Sequence, residues 1–215
     1  MNIKFFFPTL APRSKAASWM FMLPVLIGSI GLSSLISSCK CGCYNTTILN
    51  GYIQDSLSNQ VTQHKAGSVY NYETGYEFSS NIDGRILKLG VCLPIADTYD
   101  VTLWDAVSKT KLFSHKIKQQ QDNTWCYQKV SPFQLSKGKF YVLSVNLCGT
   151  KSKDGLYFYL KKKDDSVFYP FISKNFQITD GLYGNPGCIP DYPNQTSKVN
   201  NNLLGFVDIC FEPYQ

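Results

Sequence analysis

Apolar residues recur at every second position through most of the chain. Tyr76 and Phe78 flank Glu77, and Leu87, Leu89, Val91 and Leu93 alternate with other residues. Tyr99, Val101 and Leu103 repeat the pattern, as do Phe113, His115 and Ile117, and then Trp125 and Tyr127 before the polar Lys129. The strongest run is Phe140 to Leu147, with Tyr141, Leu143, Val145 and Leu147 on one face; Leu156 to Leu160 and Leu204 to Phe211 complete the series. A period of two puts alternate side chains on opposite faces of a strand. Turn residues such as Asn81-Ile82-Asp83-Gly84 separate the runs. Many short strands spaced by Gly, Pro, Asn and Asp predict an all-β protein, an antiparallel β-sandwich of the jelly-roll or immunoglobulin-like kind. No helical period of comparable length follows residue 38. The stretch 176–202, rich in Gly, Pro, Asn and Tyr, reads as a long irregular loop.

The first 38 residues follow another logic. Residues 1–18 hold Lys4, Arg13 and Lys15 and no acid, and residues 19–36 carry no charge. Ile36-Ser37-Ser38-Cys39 follows, an aliphatic residue and two small ones before a cysteine. This is the layout of a secretory signal, and its end resembles a bacterial lipobox, which marks Cys39 for lipidation and makes it the first residue of the mature chain. The competing reading, a retained membrane helix, is weakened by Pro24 and Gly28 within a barely sufficient span. The expected organisation is a lipoprotein signal peptide over 1–38, a flexible tether over 39–69 and a β-sandwich domain over 70–215. The expected location is the bacterial envelope, with the lipid bilayer as first partner through the N-terminal lipid.

Charge and cysteines narrow the classes further. Three of the net six positive charges belong to the signal, and Lys161-Lys162-Lys163 is followed at once by Asp164-Asp165. A nucleic-acid groove needs an uncompensated basic stripe, so no nucleic-acid partner is expected. Cys39, Cys41 and Cys43 lack the second half of a structural zinc site. If Cys39 carries lipid, seven cysteines remain in an exported chain, some of them expected in disulfides whose pairing the sequence leaves open.

Several short motifs occur in order: Gly75-Tyr76-Glu77-Phe78, Asp83-Gly84-Arg85-Ile86 with Gly90-Val91, and Thr102-Leu103-Trp104-Asp105. Trp125, Pro132-Phe133, Tyr141-Val142-Leu143-Ser144 and the closing Val207-Asp208-Ile209-Cys210-Phe211 follow. In this order the stretch from Gly75 to Pro213 resembles the bacterial modules catalogued as domain of unknown function 4082, small β-sandwich domains of exported and surface proteins. The resemblance implies a noncatalytic module, and the family's ligand is not established, so it transfers no binding residue. Cys92 and Cys126 depart from the family pattern and point to a local disulfide variation. Trp104 and Trp125 read as core anchors between sheets before sugar platforms. Asp105 and Asp208 read as carboxylates that bond backbone at strand ends before calcium ligands.

No catalytic constellation assembles in the sequence. His64 and His115 are the only histidines, the first in the expected tether and the second in an expected strand. Neither sits in a nucleophile elbow, a zinc motif or a papain-like context, and most acids lie near turns. The chain is therefore read as a noncatalytic binding module without a cofactor or metal. Its candidate ligand-binding residues are the aromatics of the loops 168–171 and 183–192, namely Tyr169, Tyr183 and Tyr192. These could stack on sugar rings, anchor another envelope protein, or simply pack their loops onto the sandwich.

Overall fold

The computed structural model describes residues 46–57, 59–66, 72–149, 156–196 and 202–214. Thirteen strands are named among them. A three-stranded sheet joins β1 (Val61–Ala66), β8 (Tyr157–Lys162) and β12 (Asn202–Leu203). The largest sheet runs β11 (Gln195–Thr196), β10 (Phe176–Pro186), β2 (Tyr72–Ser80), β7 (Phe140–Asn146), β4 (Thr98–Asp105), β5 (Lys111–Lys118), with β9 (Phe171–Ser173) also on β10. The third sheet is β13 (Val207–Pro213), β3 (Gly84–Val91) and β6 (Cys126–Leu135). The strand pairs are antiparallel throughout, and the expected all-β sandwich is what the chain forms.

The core lies between the large sheet and the β13-β3-β6 sheet. Tyr76, Phe78, Tyr99, Val101, Leu103, Tyr141, Leu143 and Val145 face Ile86, Leu89, Val91, Ile209 and Phe211, all buried. Phe176 meets Phe211 edge to face at 5.0 Å between centroids. Each such aliphatic or aromatic side chain contributes roughly 1.5–3 kcal/mol by leaving water. The expected strands at Tyr76–Phe78, Tyr99–Leu103 and Tyr141–Leu147 put their alternating residues inward as anticipated.

One strand departs from strict alternation. In the pairing of β3 with β13, Cys210 opposes Lys88 and Phe211 opposes Ile86, which leaves Leu87 as an extra residue on β3, so Ile86 faces the core together with Leu89 and Val91, while Leu87 is only half-buried. A bulge of this kind switches which face a side chain takes, and simple counting from Leu87 misses it.

The stretch 176–202 is not one irregular loop. Its first eleven residues form β10, the longest strand. Its glycines suggested a loop, but they answer close packing within a sheet: a Cβ on Gly181 would sit 2.7 Å from the Tyr169 hydroxyl. Glycine inside a strand often marks such an approach. The segment 187–194 that follows is a loop, tied down by the Cys148–Cys188 disulfide.

The expected tether over 39–69 is corrected as well. Leu49–Tyr52 forms a short helix, α1, continued by a π-turn over Ile53–Leu57, and Ile48, Leu49 and Leu57 are core residues. β1 pairs along its whole length with β8, from Val61 against Lys162 to Ala66 against Tyr157. The isolated apolar residues of this polar stretch are the ones that dock. Cys92 and Cys126 are both buried thiols, so the expected local disulfide variation is absent: Cys126 is in register with Val91, not Cys92. Cys210 is disulfide-bonded. No helix among the described residues is long and apolar enough to cross a membrane.

Candidate functional site

A cleft of about 480 Å³ opens where the inner face of the large sheet passes the edge of the β1-β8-β12 sheet. The large sheet contributes one transverse row: Gln195 of β11 pairs with Tyr183 of β10, which pairs with Thr74 of β2. Tyr72 and its partner Pro186 form the next position of the same face. The opposite wall is Tyr157 of β8 and Asn202 of β12, with Leu204 beyond it. Leu204 is held there by the residue that follows. Gly205 has φ of +72°, and a Cβ on it would lie 2.6 Å from the Gly75 Cα, so the chain passes over β2 in contact with bare backbone.

Among the described residues the lining is three phenols, two amides, a hydroxyl, a proline and a leucine, with no charged side chain. Burial and the neighbouring phenols of Tyr159 and Tyr72 raise the Tyr157 hydroxyl above its ordinary value, so it stays protonated and able to donate. Gln195 Nε2 donates to Asn185 Oδ1 at 3.0 Å, which orients the amide at the rim. Such a surface offers aromatic faces for CH groups together with neutral donors and acceptors. Concave sites with a few convergent polar groups are the usual form of small-ligand sites.

Of the sequence candidates, Tyr183 lies in this cleft. Tyr169 does not: it is 4% exposed, packed on Phe171 and beneath Gly181, and cannot stack on a ligand. Burial raises its phenol well above the ordinary value. Tyr192 is half-buried on the other face of the large sheet, edge-on to Trp104 at 5.8 Å, with Lys109 Nζ 5.5 Å from its ring centre and its hydroxyl donating to Ala106 O. Phe168 and Phe171 are buried too. The three tyrosines thus form no common row. Cys39 lies outside the described residues.

The tryptophans are also placed by the structure. Trp125 packs on the main core, stacked against Tyr127 and Phe206. Trp104 is buried but not between the sheets; it belongs to a small cluster with Val142, Leu182, Ala106 and Tyr192 on the outer face of the large sheet. Its indole Nε1 donates to Ser144 Oγ at 2.8 Å, and Ser144 Oγ donates to Glu73 Oε1. Asn146 Nδ2 donates to Glu73 Oε2 at 3.0 Å and to Gly187 O at 3.3 Å. Glu73 is 1% exposed, and burial pushes its carboxyl up to about 7 against the pull of those two bonds; Asp100 and Asp191 add to the rise. Ser144 and Glu73 are a hydroxyl and a carboxylate in contact, but both are sealed beneath the 187–193 loop, and they serve to seat it.

The two aspartates act on backbone, as expected. Asp105 Oδ1 accepts from Val107 N and Ser108 N, and its Oδ2 meets Lys139 Nζ at 2.8 Å, which holds its carboxyl well below the usual range. Asp208 is wholly buried. Oδ1 accepts from the N–H groups of Ile48, Leu49 and Ile209, and Oδ2 from Asn50 N and the Tyr127 hydroxyl. Burial raises this carboxyl, and the bonds from Asn50, Leu49, Ile209 and Tyr127 work against the rise. No group of His, Cys, Asp and Glu suited to a metal ion occurs among the described residues.

The sequence reading missed Tyr72, Thr74, Tyr157, Gln195, Asn202 and Leu204. A signal did exist: Tyr157 and Tyr159 alternate with the buried Phe158 and Leu160, so two aromatics had to face outward. No protein-family model matches the chain, and neither does any curated protein.

Proposed function

We propose that this protein is a noncatalytic module, lipidated at Cys39 and anchored in the bacterial envelope, that binds neutral glycans in the cleft of Tyr72, Tyr157 and Tyr183. The observation that carries the reading is the composition of the cleft: among its described residues, aromatic rings stand beside two amides and a hydroxyl with no charge. Sugars present apolar CH faces and neutral hydroxyls, and this lining complements both. The layout of residues 1–39 supports the anchor, and the resemblance of Gly75–Pro213 to domain of unknown function 4082 fits an exported binding module. The sealed state of Ser144 and Glu73, the one hydroxyl–carboxylate pair in that network, fits a role in structure and not in turnover.

The test is a broad glycan array probed with the full chain in detergent, repeated with Tyr183→Ala. Specific signals lost in the variant are expected. A blank array from a folded protein would sink the glycan reading and turn attention to a protein partner in the envelope, sought by crosslinking. Mass spectrometry of the native N-terminus checks the anchor: a lipidated Cys39 is expected, and an unmodified N-terminal residue at any other position overturns it.

A further inference from the structure

An aromatic strip leaves the cleft along the outer face of the β1–β8 pair. Tyr157 belongs to both. The pleat of β8 sends Phe158 and Leu160 inward, where they are buried, and turns Tyr157, Tyr159 and Lys161 outward. Tyr159 is paired in register with His64 of β1, and Ala66 with Tyr157. The Tyr157 and Tyr159 rings are 6.4 Å apart, and His64 lies parallel to Tyr159 at 5.0 Å.

Polar groups border the strip on both sides. Thr62 Oγ1 and His64 Nε2 are 2.9 Å apart, and Lys161 is in register with Asn202, which lines the cleft. The Lys161 charge is matched by Asp165 at 2.6 Å, so the path stays close to neutral. From Tyr157 to Lys161 the strand advances about 13 Å, well beyond what a single sugar ring would cover. His64 is exposed on the edge strand β1, whose burial is slight, and Tyr159 is half-exposed on β8 beside it. They lie outside the cleft and contribute little to the core, yet continue its chemistry in one direction.

We infer that the ligand is a linear neutral glycan chain, one end of which enters the cleft while its further units lie along Tyr157, Tyr159 and His64. This inference rests on the glycan reading of the cleft. The cleft would supply recognition of a terminal segment, and the strip would supply affinity that grows with chain length. Each ring contact adds a small increment, and together two such contacts amount to about tenfold in affinity.

The experiment is an array of neutral linear glycans printed as di- to hexasaccharides, probed with the full chain in detergent, with the double variant His64→Ala/Tyr159→Ala and with Tyr183→Ala. Tyr159→Phe serves as the conservative control. The expected result is wild-type binding about tenfold tighter for hexasaccharide than for disaccharide. The double variant should lose that gain and keep its disaccharide affinity, and Tyr159→Phe should keep most of the gain. Unchanged disaccharide binding also shows that the double variant is folded. Length-independent binding by the wild type, or a double variant that retains the gain, overturns the chain inference and leaves the cleft reading standing. Binding at no length, or binding indifferent to Tyr183→Ala, overturns the cleft reading and the strip with it.

Discussion

The amide of Ile48 donates to the carboxylate of Asp208 across 160 positions of sequence, at 2.9 Å. The N-cap residue Ile48 supplies no side-chain cap; Thr47 Oγ1 accepts from Gly51 N at 2.9 Å, and Asp208 reaches from the last strand to take three successive N–H groups at Ile48, Leu49 and Asn50. An anion at this position satisfies donors that a helix start leaves open.

Asp208→Ala is therefore expected to strip buried N–H groups of their acceptor and to free the Tyr127 hydroxyl. Leaving buried donors unsatisfied costs about 1–3 kcal/mol each, so the variant should lose at least 3 kcal/mol. Urea unfolding measures the loss. Hydrogen exchange should show the Ile48–Asn50 amides exposed first, and unchanged protection there would refute this account.

Glu73 makes stability depend on pH. Its carboxyl is pushed from 4.5 up to about 7 in the folded chain, so the folded state holds its proton more tightly than the unfolded state. Stability from this group is complete below pH 4.5, falls as pH rises through the interval and levels off above 7, a loss of about 3 kcal/mol. Glu73→Gln keeps the shape of the protonated acid, and the difference between the two proteins in urea midpoint should shift with pH over that interval. A constant difference from pH 4 to 8 would contradict the assignment.

The Cys148–Cys188 disulfide closes a separation of 40 residues. On the chain-entropy account, a loop of this size contributes about 4 kcal/mol. Cys148→Ser/Cys188→Ser should unfold at correspondingly lower urea, and protease cleavage should appear first within residues 187–193. A variant as resistant as the wild type would mean that Asn146 and Tyr192 alone hold the loop.

Gly75→Ala probes the pairing of β2 with β7. A Cβ there would collide with the backbone carbonyl of Leu143, with no flexible side chain to move aside. Overpacking of this kind typically costs 1–3 kcal/mol, and a backbone obstacle puts the variant at the upper end. Thermal unfolding reports the cost; a neutral substitution would show that the two strands can separate locally.

The strands whose inner face alone is apolar were legible in the sequence because alternation and burial coincide there, as in Tyr99, Val101 and Leu103. β10 was not, because Gly181 and Gly184 answer contacts made by Tyr169 and Glu73, which are distant in sequence. The docking of Ile48 and Leu49 was hidden for the same reason: a few apolar residues in a polar stretch look like a tether until Asp208 supplies their acceptor. Tyr183 could be named from its composition, whereas Tyr72 and Tyr157 join it only through the meeting of two sheets. Tyr169 and Tyr192 show the reverse error, since aromatics in a Gly- and Pro-rich segment look available until their packing is seen.

The pairing of Thr46 with Phe211 has a consequence for how the chain matures. Thr46 bridges Phe211, Phe211 N donates to Thr46 O, and β13 supplies both the partner of β3 and the cap of α1. A polypeptide emerging from a ribosome or a translocation channel with its N-terminus first cannot finish this fold until about residue 211 is out. Until then β3 lacks one neighbour and Ile48, Leu49 and Asn50 lack their acceptor. Lateness of this kind leaves the sandwich incomplete until the last strand is available, and makes any truncation before Val207 a candidate for proteolysis and not for assembly.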